Sequence, residues 1–277
     1  MRRLSRRQFL LSLGGLAGFS ALGWWHETER VETTFTTIPI RGLEGPLRIV
    51  HLSDWHASNV VRDDFLRSAI HQAATLKPDL FCLTGDFTTH SAEYLPLVQE
   101  LVVTLSRVAP VFACIGNHDG TYVAPLDVLR AATVKALAEG GAQLLYNESA
   151  IARTRAGIVR LAAPGDLWSG FFDPTKTLPP SLPSLPTILL CHNPDGAQGF
   201  ADARWDLMLS GHTHGGQVNL PFMRGFFAPI GDKRFLAGLA KFDDQRQVFT
   251  TRGLGNLAGI RFRARPEISV LEFEPVA

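Results

Sequence analysis

Apolar and polar positions along this chain follow two successive rhythms. From Leu47 to about Leu144, short apolar strings are separated by amphipathic stretches. "LRIVHLS" is rich in branched residues and stops at a polar loop, as a buried strand does. "DDFLRSAIHQAATL" then places apolar or small side chains at Phe65, Ala69, Ile70, Ala73 and Leu76, a helical spacing that "KPD" ends. "LFCLTG", "AEYLPLVQELVVTLSRV", "VFACIG" and "PLDVLRAATVKALAEGG" repeat the strand-then-helix step. Pro125 stands near the start of the last helix and Gly140-Gly141 follow its end.

After Leu144 the rhythm changes. Short strand candidates dominate: "LLYNESAIA", "GIVRLAA", "TILLC", "DLMLSG", "QVNL", "QVFTTRG" and "ISVLEF", with Pro- and Gly-rich turns between them. "GIRFRARPE" has an alternation that would put Arg261, Arg263 and Arg265 on one face of a further strand. There is no internal repeat, and the proline-rich run from Phe171 to Pro186 is too short to separate domains. The pattern predicts one α/β domain over residues 31–277, with two packed, mixed β-sheets flanked by helices.

The first 30 residues break this pattern. "SRRQFLL" pairs Arg6 with Arg7 and opens an apolar run that lasts to about Trp25. It matches a twin-arginine export signal, with "ALG" at Ala21–Gly23 as a small-residue cleavage site. The expectation is delivery by the twin-arginine translocation machinery to the periplasm, or anchorage at the outer face of the cytoplasmic membrane. That route carries cargo folded before crossing, often around a metal or cofactor.

Charge then changes little. The formal net charge is +1, but four arginines lie in the first seven positions, which leaves 23 basic against 26 acidic residues in the body. No basic stripe suits nucleic acid. The three cysteines, Cys82, Cys114 and Cys191, sit inside apolar strings without metal-type spacing and read as buried free thiols.

The chemistry collects where the apolar strings end. "HLSDWH" supplies Asp54 and His56, "LTGD" Asp86, "IGNHD" Asn117, His118 and Asp119, "LLCHNPD" His192, and "LSGHTH" His212 and His214. Five of the nine histidines fall at these ends, the edge where α/β sheets gather ligands. Carboxylate, imidazole and amide oxygen suit Mn, Fe or Zn rather than soft thiolate chemistry. Residues two apart on extended backbone point the same way, so Asp54 with His56, and His212 with His214, can each aim into one cavity. Asn117 and His118 are adjacent and should diverge. His26, His51, His71 and His90 read as leader, strand interior, helix surface and loop.

The order D-x-H, G-D, G-N-H-D, H, G-H-x-H resembles that of the calcineurin-like metallophosphoesterases. The resemblance implies a four-layer α/β/β/α sandwich and two divalent metals. One would be held by Asp54, His56, Asp86 and His214, the other by Asp86, Asn117, His192 and His212, with Asp86 between them. It makes His118 a catalytic group facing the substrate, oriented by Asp119. The implied reaction is phosphoester hydrolysis by direct in-line attack of a metal-bridging hydroxide, without a phosphoenzyme. A phosphodiesterase is the leading expectation, with a phosphomonoesterase or a non-catalytic metal-binding scaffold as alternatives. Complete ligand and His118 positions argue against the scaffold.

Substrate contacts are less marked. Asp166 and Trp168 of "GDLW" are candidates by the same resemblance, and Arg261 and Arg263 are candidates for a phosphate or lipid headgroup, against a solvated edge strand. Phe222, Phe226 and Phe227 form either an apolar wall for a lipid or aryl leaving group or a core-packed hairpin. A lipid-linked or nucleotide-sugar diester fits the class by analogy with relatives. The export signal argues against a cytoplasmic lipid A precursor.

Overall fold

Period-two alternation assigns the side chains of the central strands to two separate cores. The computed structural model describes residues 27–120, 126–220, 222–226 and 228–276. The twin-arginine motif, the apolar leader, the Ala21–Gly23 site, His26, Pro125 and Phe227 lie outside them.

One sheet holds β1 (Glu32–Arg41), β2 (Leu47–Leu52), β3 (Leu80–Thr84), β4 (Val111–Cys114), β5 (Ala142–Leu144) and β12 (Glu267–Val276), in the order β1-β12-β2-β3-β4-β5. The other holds β6 (Glu148–Thr154), β7 (Gly157–Ala163), β8 (Thr187–Leu190), β9 (Leu207–Ser210), β10 (Gly238–Lys241) and β11 (Gln247–Thr250), in the order β10-β11-β9-β8-β7-β6. β2, β3 and β4 run parallel, as do β7, β8 and β9, while β12–β2, β6–β7 and β10–β11 are antiparallel. Both sheets are therefore mixed.

Leu47, Ile49, Leu80, Cys82 and Phe112 pack between the sheets against Leu161, Ile188, Leu190, Leu209 and Phe249. The intervening positions Val50, Leu52, Phe81 and Leu83 face the other way, onto helices. Those helices are α1 (Asp63–Ala74), α2 (Leu95–Ser106) and α3 (Leu126–Glu139). α1 buries Leu66, Ala69, Ile70 and Ala73, the stripe its spacing predicts, shifted by one residue toward Leu66. Beyond the second sheet, Leu189, Met208 and Val248 are covered by Phe200, Trp205 and Phe235. The layers are helix, sheet, sheet and a thin fourth layer. In that layer lie α4 (Pro174–Thr177) and the 3₁₀ turns Pro194–Phe200 and Lys233–Phe235.

Several sequence expectations fail for a physical reason. "QVNL" and "GIRFRARP" are not strands; their backbones pair in a single bridge between Val218 and Phe262. Gln217 (φ 50°) and Arg263 (φ 54°) are left-handed, which breaks any extended run. Conversely, β1 and β10 give little signal in the sequence because both are edge strands with Thr, Pro or Gly on half-exposed faces. Cys82, Cys114 and Cys191 are buried and unpaired with one another.

Candidate metal centre

Parallel strands end together, and their C-terminal loops carry the chemistry. Asp54 and His56 follow β2, Asp86 follows β3, Asn117 to Asp119 follow β4, His192 follows β8, and His212 and His214 follow β9. The backbone there is not extended. Asp54, His56, Asp86, His212 and His214 all have positive φ, between 47° and 68°. Such conformations cost of order 1–3 kcal/mol each in non-glycine residues and persist where the surroundings enforce them. Asp54 and His56 thus converge because both are left-handed, not because a strand aligns them.

Two buried groups result. Asp54, His56 and His214 form one, and Asp86, His192 and His212 the other, each with ligand atoms within 4.8 Å of one another. His212 and His214 line one cleft and fall in different groups, as the family resemblance implied. Asp86 joins them: its Oδ2 lies 3.1 Å from His192 Nε2 and 3.5 Å from His56 Nε2. Its Oδ1 accepts the backbone N–H of His118 at 2.8 Å. Asp54 accepts the backbone N–H of His212 at 3.0 Å and lies 3.5 Å from His214 Nε2.

The donor set fits cations. His56 Nε2 and His214 Nε2 are 3.2 Å apart, as are His192 Nε2 and His212 Nδ1. Burial drives His56 down to about 3 and His212 to about 4. Burial, reinforced by the Arg261 charge, holds His214 well below its usual value. His56 and His214, both held neutral by burial, face one another at a range that calls for a shared proton or a cation between them. His192 Nδ1 donates to Thr84 O at 2.7 Å, which leaves Nε2 of the neutral ring free to bind a metal. Asn117 Oδ1 is buried without a hydrogen-bond partner, as a ligand oxygen would be before metal binds. Without metal, burial opposes protonation of His192, but the Asp86 and Asp54 charges overcome it and lift the ring to about 10. Burial likewise opposes the charge on Asp86, and His192 outweighs it, holding the carboxyl well below its usual range.

The calcineurin-like phosphoesterase family matches residues 47–216, a span that contains every member of both groups. The chain belongs to the calcineurin-like phosphoesterases. Over 97% of its length it is 36% identical to phosphodiesterase YaeI of Escherichia coli, covering 99% of that protein. It is 31% identical to the UDP-2,3-diacylglucosamine pyrophosphatase LpxG of Chlamydia trachomatis, across 83% of this chain and 84% of that one. Among solved structures, TT1561 of Thermus thermophilus aligns with a TM-score of 0.45 at 13% identity, over 74% of this chain and 88% of that one.

Around the centre of this metallophosphoesterase, the other expected residues take unequal places. His118 is half-buried and lines a cleft of about 600 Å³ together with Asp86, Asn117, His212 and His214. Burial lowers its pKa, and the neighbouring His90 and His192 add to that against the pull of Asp86. Asp119 does not orient its imidazole. Both Asp119 oxygens are taken by backbone N–H groups, those of Asp86, Phe87 and Gly116 at 2.7–2.8 Å and Thr88 at 3.4 Å. Asp119 therefore clamps the loop that presents Asp86. Its own carboxyl is raised to about 7 by burial and by the Asp86 charge. The ring packed against His118, tilted by 37°, is His90, with centroids 4.3 Å apart. Sequence reasoning passed over His90 because it lies 28 positions away in an exposed loop. His51 is buried in β2, as expected. Its Nε2 meets Thr84 Oγ1 at 2.8 Å, one residue removed from His192.

Trp168 lines the cleft and meets His212 nearly perpendicular, with ring centroids 4.4 Å apart. Asp166 is buried behind it and holds its turn, accepting the N–H groups of Trp168 and Ser169. Arg261 meets neither expectation, headgroup contact or solvated edge strand. It is fully buried and donates to the carbonyls of Gly255, Ala264 and Arg252, with Nη2 3.3 Å from His214 Nδ1. It lies behind His214, buried away from the cleft surface. Arg263 is exposed in a left-handed turn, with no strand face to share. Phe222 and Phe226 are exposed, which excludes the core-packed hairpin for both.

Proposed function

We propose that this metallophosphoesterase is a phosphodiesterase with a dinuclear centre, exported by the twin-arginine route and held at the outer face of the cytoplasmic membrane. The observation that carries the dinuclear reading is Asp86, whose one carboxylate oxygen faces an imidazole of each buried group. Asp54, His56, Asp86 and His214 would hold one ion, and Asp86, Asn117, His192 and His212 the other. The nitrogen-and-oxygen donor set suits Mn, Fe or Zn. Two such ions would supply positive charge for the phosphate and a water acidified toward pH 7.

The chain's own residues do the rest. His118 sits in the cleft wall beside both groups and gives a proton to the leaving ester oxygen as its bond to phosphorus breaks. Asp119 fixes the loop bearing Asp86, so the bridging carboxylate is preorganised. Trp168 walls the cleft over His212 and narrows access to the groups. The diester preference is supported by similarity to phosphodiesterase YaeI over nearly the whole chain. Single turnover in ¹⁸O-water on matched mono- and bis-aryl phosphates tests both points. The diester is expected to turn over faster, with one ¹⁸O in the product and no phosphoprotein. A covalent phosphate on any side chain would overturn direct attack. Replacing Arg6-Arg7 with Lys-Lys is expected to retain the protein in the cytoplasm.

A further inference from the structure

Two loops raise exposed apolar side chains beside the cleft. Leu220, Phe222, Met223 and Phe226 stand on one, and Leu257 and Ile260 on the other. Phe222 is fully exposed at 106%, and Phe226 at 66%. Asn219 clasps the loops together. Its Nδ2 donates to Arg263 O at 3.2 Å, and its Oδ1 accepts the N–H of Gly225 at 2.9 Å. Leu257 and Trp168, itself 46% exposed, continue the apolar surface into the cleft wall. Isolated exposed apolar residues are ordinary, but a contiguous group around a cleft marks a contact surface.

Three further observations identify the occupant. Neither "LPFMRGFFAPIG" nor "LGNLAGIRFRARP" contains an acidic residue, and Arg224 and Arg263 are exposed within them. The chain also enters the described structure at this rim. Thr28 Oγ1 accepts the N–H of Arg261 at 2.9 Å, and Glu27 Oε2 accepts that of Arg263 at 2.6 Å. Immediately before Glu27 the sequence reads Trp24-Trp25-His26, preceded by a run from Phe9 that carries no charged residue. Aromatic pairs beside an apolar run suit the membrane–water interface, and arginines beside them suit anionic headgroups.

We infer that the rim formed by residues 220, 222–226 and 257–263 lies on a phospholipid bilayer, cleft mouth inward, and that the enzyme takes phosphoesters presented at the bilayer surface. The substrate half of this inference rests on the proposed phosphodiesterase reading; the docking half does not. The strand ends that carry the metal centre face the lipid, and the opposite edge, marked by exposed Val108 between α2 and β4, faces water.

Buried native cysteines make the test direct, since Cys82, Cys114 and Cys191 are out of reach of a bulky label. The full-length chain, carrying Phe222→Cys, Ile260→Cys or Val108→Cys, is labelled with an environment-sensitive fluorophore. It is then placed in vesicles of phosphatidylethanolamine and phosphatidylglycerol containing brominated lipid. Labels at 222 and 260 are expected to be quenched and the label at 108 to be spared. Equal response at all three sites, or shielding at 222 and 260 by self-association without bromolipid quenching, would overturn the inference. A second arm uses Met223→Asp combined with Ile260→Asp, two exposed rim positions outside the aromatic wall. Hydrolysis of a soluble chromogenic diester is expected to be unchanged, while that of a vesicle-borne diester falls roughly tenfold for each aspartate, the scale of removing one large apolar contact. An equal fall on both substrates would count against docking. Failure of every form on the soluble diester, with quenching intact, would fault the phosphodiesterase reading alone.

Discussion

At the scale of single residues, Asp86 and its neighbours set the behaviour of the whole centre. Asp86 Oδ2 faces both imidazole groups, so Asp86→Ala is expected to release both ions, read as metal content by mass spectrometry, with the fold retained by circular dichroism. His118→Ala should keep both ions and lose about 10²–10⁴-fold in kcat, the scale of a missing general acid. The metal-free protein offers a pH signature. His192 is raised to about 10 beside an Asp86 held below its ordinary 3.8, so the contribution of this pair to stability is complete between pH 3.8 and 6.5, fades as pH rises through about 10 and is lost again as Asp86 protonates in acid. Metal must displace that proton, so affinity should climb with pH by up to about tenfold per unit below pH 10. A pH-independent affinity by isothermal titration would contradict the pairing. The ligand types were legible in the sequence because each ends an apolar string. The roles of Asp119, His90 and Arg261 were not, since each depends on a partner from a distant loop.

Among the elements, the decisive features are loops that leave parallel strands in left-handed turns. Gly211 precedes His212, and a Cβ there would overlap Asp54 Oδ2 and Ser53 Oγ. Gly211→Ala is expected to displace Asp54 and weaken metal binding while the sheets stay intact, measured as reduced metal occupancy with unchanged far-ultraviolet dichroism. Arg261 links the loop after β11 to the turn before β12 through backbone carbonyls. Arg261→Met would leave those carbonyls buried without donors, a loss of about 3 kcal/mol or more in denaturant unfolding. The central strands and α1 to α3 were readable because each buries a regular stripe. Edge strands β1 and β10 were not, because half-exposed Thr, Pro and Gly positions blur the period. The arginine alternation at 261–265 looked strand-like only because sequence spacing does not reveal a left-handed residue.

For the whole molecule, two mixed sheets bring the ends of β2, β3, β4, β8 and β9 to one edge, and neither sheet alone holds a complete ligand group. His214 from the second sheet completes the group begun by Asp54 and His56, and Asp86 from the first completes that of His192 and His212. Metal bound there would tie the two sheets together, so metal removal should lower the unfolding midpoint of the entire chain cooperatively while the fold persists. Hydrolysis of a chromogenic phosphodiester by the chelated full-length protein, with Mn²⁺, Fe²⁺ or Zn²⁺ restored, tests the central claim most directly when run beside Asp86→Ala. Turnover that returns with metal and stays absent in the variant is the expected result. Equal turnover before and after chelation, or in Asp86→Ala, would contradict a dinuclear centre built on that carboxylate.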